Sequence, residues 1–495
     1  MYNFFSGAAA YWDAGDAEYT CRCCQAKVWY QERTRLTCNP INPKFSICCG
    51  DGKVVLPLLT QPPPLLVQLM DYNGGQRSKF FRKHLKLINA MFAFTSTGGN
   101  IHIGINDGRG PYAFRLNGHN HHRIGTLLPT HEDGRPRFAQ LYINDTENEV
   151  ENRFYALHCR LPLAADDRLL RILVSELIQM LNQHNRLVQV FRMVRDRLAE
   201  GSMQPVTLRL LGTRRRDGRQ YNLPTASEIA ALIPGDGNPT DNRDIIVQER
   251  GSENVRRISE LHPSFMALQY PLLFPYGEDG YHIKIPLSRS DNRREFVSLR
   301  EYYAYRLHTR LDDGGVLLKG GRLFHTFIVD AYAAVLDHDL NWYKLNQNAI
   351  RAELYNGLQD RITSGETNLD TIGRRIILPS SFTGGPRHMV QQYQDAMAIC
   401  RWAGTPDLFV TMTCNPRWPE IERFVQQHYP GQPPVDRPEL VTRMFKIKLE
   451  ELMKDIRKEN YFGPVKAGIN IFIVQLIFMI DFFFKCHTFL RMLNK

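Results

Sequence analysis

The sequence has little that would mark a secreted or ATP-driven protein. It opens Met1-Tyr-Asn-Phe-Phe-Ser-Gly, with no basic flank and no long apolar run, so no secretory leader is expected. No Gly-x-x-x-x-Gly-Lys-Ser/Thr loop occurs, so no ATP site is expected; Gly314-Gly315 and Gly320-Gly321 read as turn glycines. Ten cysteines in 495 residues are too few for a disulfide scaffold. No internal repeat stands out. Apolar residues at 43% and charged residues at 23% exclude a wholly disordered chain or a fibre. The length allows roughly three domains.

What is present begins with charge. A net +11 suits a polyanion partner, because Lys and Arg gain affinity by releasing phosphate counterions. It suits a soluble basic protein equally well. Cysteine distribution says more. Cys21, Cys23, Cys24, Cys38, Cys48 and Cys49 crowd into the first 49 residues. At that spacing in a reducing compartment, metal ranks before disulfide. Cys21-x-x-Cys24 reads as one half of a zinc knuckle, and Cys48 with Cys49 as the other, giving a tetrahedral structural site. Adjacent cysteines are unusual in a knuckle, Cys38 is an alternative ligand, and free thiols in a loop-rich module remain the rival reading. Cys159, Cys400 and Cys414 sit among apolar neighbours and are assigned to the core.

Along the chain, Lys53-Val-Val-Leu-Pro reads as a short strand and Pro62-Pro-Pro as a stiff linker. Phe138-Ala-Gln-Leu-Tyr-Ile reads as a strand, and Ile101-His102-Ile103 as a half-exposed one. Leu170, Leu173, Leu177, Leu181, Val188, Phe191 and Leu198 predict one long helix, with Asp166-Asp167 at its start. Val206, Leu208 and Leu210 alternate as in a half-buried strand. Arg214, Arg215, Arg216 and Arg219 then form the densest basic cluster. A solvated hairpin tip is the commoner meaning of such a cluster, and nucleic-acid phosphate contact is the functional one.

A polar stretch at 234–243 is the best domain boundary. Beyond it, the aromatic residues from Phe265 to Tyr305 favour core packing over base stacking. Phe409-Val-Thr-Met-Thr reads as a strand. Val441, Phe445, Leu449, Leu452 and Ile456 mark the apolar stripe of a helix, with Lys446, Glu450 and Lys454 spaced to pair on it. From Ile469 to Lys495 there is no Ala, Gly, Pro or Glu, and Phe, Ile and Leu dominate. Ile469–Phe484 is shorter than the roughly 20 residues that span a bilayer and contains Asp481, so a membrane tether is the lesser reading. This tail is expected to add nothing to the fold.

Several stretches resemble plant Helitron-type transposon replicase–helicases, in the region that precedes their nuclease motif. The strongest are Leu261-His-Pro-Ser-Phe-Met-Ala-Leu-Gln-Tyr-Pro-Leu-Leu-Phe-Pro, Leu378-Pro-Ser-Ser-Phe-Thr-Gly-Gly-Pro-Arg and Pro406-Asp-Leu-Phe-Val-Thr-Met-Thr-Cys-Asn-Pro-Arg-Trp-Pro-Glu-Ile. The resemblance runs from about residue 12 to 466 and fades near Gly468. The family joins a rolling-circle nuclease to a helicase. In the nuclease, two histidines flanking an apolar residue hold a divalent cation while a tyrosine attacks the DNA phosphate. Two residues apart on a strand, both imidazoles share one face.

No such histidine pair occurs here. His119-Asn-His121-His122 has a polar middle residue and is assigned to a solvated turn; none of the tyrosines inherits the nucleophile's role.

The resemblance therefore implies a multi-domain α+β protein. Its parts would be a cysteine-rich module at 1–60, a mixed domain at 76–233, an incomplete helicase-like domain at 244–468 and an unrelated tail at 469–495. A nuclease-like antiparallel sheet with helices, left incomplete, is expected at the C-terminal end. The expected function is a truncated, DNA-associated region without nuclease or helicase activity, in the nucleus, with single-stranded DNA as partner and no small-molecule substrate. The alternatives are a fragment of an active enzyme whose downstream exons are missing and a membrane-tethered protein.

Overall fold

The computed structural model describes residues 11–34, 42–101, 116–129, 134–158, 167–200, 206–212, 230–234, 245–248, 256–291, 294–311, 313–350, 376–408 and 410–468. Its strands are β1 (Tyr19–Thr20), β2 (Lys27–Val28), β3 (Ser96–Ile101), β4 (Leu116–Ile124), β5 (Val206–Leu210), β6 (Ala230–Pro234), β7 (Ile245–Gln248), β8 (Arg256–Arg257), β9 (Pro286–Asp291) and β10 (Arg294–Phe296). Its α-helices begin with α1 (Pro64–Met70), α2 (Gln76–Phe92), α3 (Glu149–His158), α4 (Asp167–His184) and α5 (Arg186–Ala199). They continue with α6 (Phe265–Gln269), α7 (Leu299–Arg306), α8 (Gly321–Leu345), α9 (Pro386–Ala403), α10 (Pro419–His428) and α11 (Pro438–Arg457).

The class is α+β, with small antiparallel sheets set among helices. β5 is the middle strand of a three-stranded sheet, between β6 and β7; its Leu208 and Leu210 are buried as the alternation predicts, but Thr207 on the opposite face is buried too. β4 is the middle strand of another, between β3 and β8. Among the described residues no strand follows Phe296, so the sheet expected at the C-terminal end is not among them. Residues 410–413 take no regular structure, and Val410 is 47% exposed. Among the described residues no strand pairs with that segment, and an unpaired strand is not stable alone.

Among the described residues two apolar cores form. The larger gathers Phe81, Leu85 and Ile88 of α2, Leu173 and Leu177 of α4, Phe191 of α5 and Phe324, Phe327 and Ile328 of α8. Phe265, Tyr270, Phe274, Tyr302, Tyr303 and Tyr305 are buried in it, as core packing requires. The smaller surrounds Trp29 with Trp418, Ile421, Phe424, Leu440, Met444 and Ile447.

Several local expectations are corrected. The long helix breaks in two at Asn185, a buried residue. Its Oδ1 caps α5 by accepting from the Val188 N–H at 3.1 Å, and its Nδ2 donates to the Phe274 carbonyl at 3.3 Å. Phe138–Tyr142 is a 3₁₀ turn, not a strand. Phe138 has φ of 52°, and the Gln140 amide, donating to the Thr126 and Leu128 carbonyls at 3.1 Å each, holds the turn closed.

Pro64 is the first residue of α1 rather than a linker, because that position needs no N–H. Residues 54–57 form no strand, although Val54 and Leu56 are buried. His119, His121 and His122 lie in β4, not in a turn. His122 is buried there, its Nε2 3.0 Å from Asp330 of α8, which also accepts from the Tyr270 hydroxyl. The His122 ring stacks on Phe265 at 4.1 Å. Cys400 and Cys414 are half-buried rather than fully buried, and Cys414 packs against the smaller of the two cores.

α11 forms where predicted but is rotated. Leu440, Val441, Met444, Ile447 and Lys448 face inward, while Lys454 meets Glu451 at 2.8 Å. Among the described residues no helix is long and apolar enough to cross a membrane. The tail from Ile469, Cys38, Cys159, Asp166, His102 and Ile103, and the 235–243 boundary lie outside the described residues.

Candidate metal centre

Two tight turns bring four cysteines together. The first caps the β1–β2 hairpin, in which Tyr19 opposes Val28 and Thr20 opposes Lys27. Cys21 closes it twice: its N–H donates to the Ala26 carbonyl at 2.9 Å and its carbonyl accepts from Gln25 N–H at 2.8 Å. Gln25 takes the left-handed conformation, φ 59°, that lets the chain reverse.

The second turn runs from Ser46 to Val54. Gly50, Asp51 and Gly52 all have positive φ, and the Val54 N–H returns to the Cys49 carbonyl at 3.0 Å. Gly52 is required there on two counts. Its φ is +82°, and an added Cβ would lie 2.9 Å from the Cys23 sulfur. Its N–H also donates to the Cys49 sulfur at 3.2 Å.

The Sγ atoms of Cys21, Cys24, Cys48 and Cys49 all lie within 4.8 Å of one another, and all four residues are buried. Cys21 to Cys49 is 3.7 Å and Cys48 to Cys49 is 3.9 Å. These are not disulfide distances. A tetrahedron of sulfurs about 2.3 Å from a central zinc has edges of about 3.8 Å, so the donor set and spacing fit a tetrahedral thiolate site.

Hydrogen bonds from Cys21 first, then Cys48 and Cys49, hold the Cys24 thiol well below the usual thiol range. Cys48 and Cys49 are pushed up, through contacts with Cys21 before Cys24. The Cys21 thiol is also lowered, to about 6; its sulfur contact with Cys24 raises it, while those with Cys48 and Cys49 lower it. Two of the four sulfurs thus favour the thiolate that a metal needs. Cys23 is exposed and is not one of the four, its thiol raised by burial first and by the Cys21 charge next.

All four cysteines named from sequence are therefore in one place. Arg214, Arg215, Arg216 and Arg219 lie outside the described residues, so no geometry attaches to that basic cluster.

Sequence reasoning missed the residues that shelter the sulfurs from the far side. Lys27 N–H donates to the Thr309 carbonyl at 2.9 Å, and Ala26 forms an isolated antiparallel bridge with Arg310. Arg310 Nε donates to the Cys24 carbonyl at 2.9 Å and its Nη2 approaches the Cys24 sulfur at 3.5 Å. A separation of 286 residues left no local signal for that contact.

Residues 302–475 match the family model described as the Helitron helicase-like domain at the N-terminus. The chain carries a Helitron helicase-like domain. No curated protein matches the chain. The match runs to residue 475, past Gly468, and so takes in the first residues of the apolar tail that was expected to be unrelated.

Thr309 and Arg310 fall inside the Helitron helicase-like domain, so the cysteine turns rest directly on it. The preceding segment is fastened to the same domain. Arg443 of α11 donates to both oxygens of Glu32 at 2.6 Å and to the Lys27 carbonyl at 3.0 Å. Lys448 meets Glu420 at 2.7 Å and the Trp12 carbonyl at 3.1 Å, and the Glu420 carboxylate also accepts from Ala14 N–H and the Tyr11 hydroxyl. Burial first, and then that bond to Glu420, raises the Tyr11 phenol.

Proposed function

We propose that this chain is the DNA-associated N-terminal region of a Helitron-type replicase–helicase, stabilised by one structural zinc ion held by Cys21, Cys24, Cys48 and Cys49. The observation that carries the reading is the Helitron helicase-like match at 302–475. The net charge of +11 supports a nucleic-acid partner, and the sulfur spacing supports zinc. Bound zinc would cross-link the two turns and supply no chemistry of its own.

In this reading the residues present bind DNA, preferring single strands, and neither cut it nor hydrolyse ATP. The sequence contains no histidine pair around an apolar residue and no phosphate-binding Gly-Lys-Ser/Thr loop. A nuclear location goes with that partner. Arg214, Arg215, Arg216 and Arg219 supply phosphate contacts.

Fluorescence anisotropy with labelled single-stranded and duplex oligonucleotides tests the proposal. Affinity should fall steeply with salt and be weaker for the duplex. Replacing Arg214, Arg215 and Arg216 with Ala should lower both affinity and salt slope. Absence of binding at low salt, or covalent protein–DNA adducts formed with Mn²⁺, would overturn it.

A further inference from the structure

We infer that Arg310 is the counter-ion and a positioning residue of the four-cysteine centre, so that the Helitron helicase-like domain completes a metal site whose ligands all lie outside it. The inference rests on the reading that the cluster takes zinc.

Arg310 is 3% exposed. Its guanidinium lies 3.6 Å over the Tyr305 ring, and Nη1 donates to the Tyr305 and His308 carbonyls at 2.7 and 3.2 Å. Among the described residues no carboxylate pairs with it. Buried Arg153, Arg437 and Arg443 each meet a glutamate instead: Glu149, Glu439 and Glu32. A buried cation needs a compensating anion. The group facing Arg310 is the Cys24 sulfur, at 3.5 Å from Nη2.

Four thiolates exceed the charge of one divalent cation by two, so a buried thiolate centre needs positive charge nearby. The guanidinium supplies it. Its fork also grips Cys24 at two points, carbonyl and sulfur, which fixes where that ligand aims. Partners of this kind outside the ligand set orient the ligands and tune affinity, with losses of about 10–100-fold when removed.

The full chain, stripped of metal and titrated with Co²⁺ against a chromophoric chelator, provides the test. The thiolate-to-cobalt absorption band reports ligation directly. Arg310→Met should bind about one equivalent with roughly 10–100-fold lower affinity. Arg310→Lys, which keeps the charge but loses the fork, should fall between Arg310→Met and wild type. Arg306→Met serves as the control. This neighbouring buried arginine donates to the Pro57 carbonyl at 2.7 Å and contacts no sulfur, so its removal should lower melting temperature without moving Co²⁺ affinity.

Wild-type affinity in both Arg310 variants would overturn the inference, as would an equal loss in Arg306→Met. If Arg310→Met does not fold, Arg310→Lys decides alone: weakened binding supports the inference and unchanged binding overturns it. Failure of the wild-type chain to take Co²⁺ would defeat the zinc reading itself, a separate result seen before any variant is made.

Discussion

The two cores are built on different physics. The larger core, around α2, α4, α5 and α8, is mostly Leu, Ile, Val and aromatic side chains brought inward by helical periodicity. Its buried charge cluster, Glu149 between Arg153 and Arg192, links neighbouring helices. The smaller core around Trp29 is thin, and buried ion pairs surround it: Arg443 with Glu32, Lys448 with Glu420 and Arg437 with Glu439. Two of its anchors, the Arg443–Glu32 pair and the Lys448–Trp12 bond, join residues more than 400 positions apart. An apolar core tolerates many sequences of similar volume. A buried pair tolerates one partner, because either charge left alone in the interior is costly. The N-terminal segment is thereby tied to one place on the helicase-like domain.

The largest expected effect comes from taking the metal away. A strong chelator, or Cys24→Ser with Cys48→Ser, should abolish the ordered fold of the cysteine turns while much of the α2–α8 core persists. Hydrogen exchange should show fast amides at 19–28 and 46–54 beside slow ones in α4 and α8. The four cysteines border the larger core, so uniform loss of protection would show that the turns and those helices unfold as one unit.

Next comes a matched pair of core substitutions. Glu32→Ala strands Arg443 and should cost about 3–5 kcal/mol. Phe191→Ala, in the larger core, should cost about 3–5 kcal/mol as a cavity. Denaturant melts separate the causes. Replacing both Glu32 and Arg443 with Met should recover much of the first loss, whereas no second substitution in a charged partner can rescue Phe191→Ala. Failure of that recovery would show that the pair does more than avoid a lone charge.

Gly52→Ala tests the cysteine turns at the edge of the larger core. Positive φ and the crowding at Cys23 oppose it, so a loss of about 1–3 kcal/mol is expected with weakened metal binding, read by melting and Co²⁺ titration. Gly75→Ala, where a Cβ meets nothing within 4 Å, is the control.

A smaller effect is expected from Glu278, which burial raises from its usual 4.5 to about 7. An acid whose folded value lies above its unfolded one binds its proton more tightly when folded. Its contribution is fully present below about pH 4.5 and is lost as pH rises to about 7. Melts across that window should show stability falling with pH, and Glu278→Gln should flatten the slope. Smallest of all is Arg423→Ala. Its pairs with Asp13 and Asp16 are exposed, and exposed pairs contribute about 0–1 kcal/mol. A loss as large as that of Glu32→Ala would break the division between buried and exposed pairs.

The sequence by itself determined the α+β class, β5, the helix at 438–457, the burial of the Phe265–Tyr305 aromatics and the four cysteines of the candidate centre. Each rests on a pattern carried within a few residues: alternation, helical spacing, or paired thiols. Tertiary structure decided the rest. The helix break at Asn185 depends on the distant Phe274 carbonyl, and the turn at Phe138 on the reach of Gln140 back to Thr126. α11 rolled away from its predicted face because Glu32 and Glu420 draw Arg443 and Lys448 inward. Arg310, 286 positions along the chain from Cys24, became its neighbour only in the folded protein. Local periodicity records which side chains avoid water. It does not record which distant group will satisfy a charge or a carbonyl once water has been removed, and that pairing exists only in the folded chain.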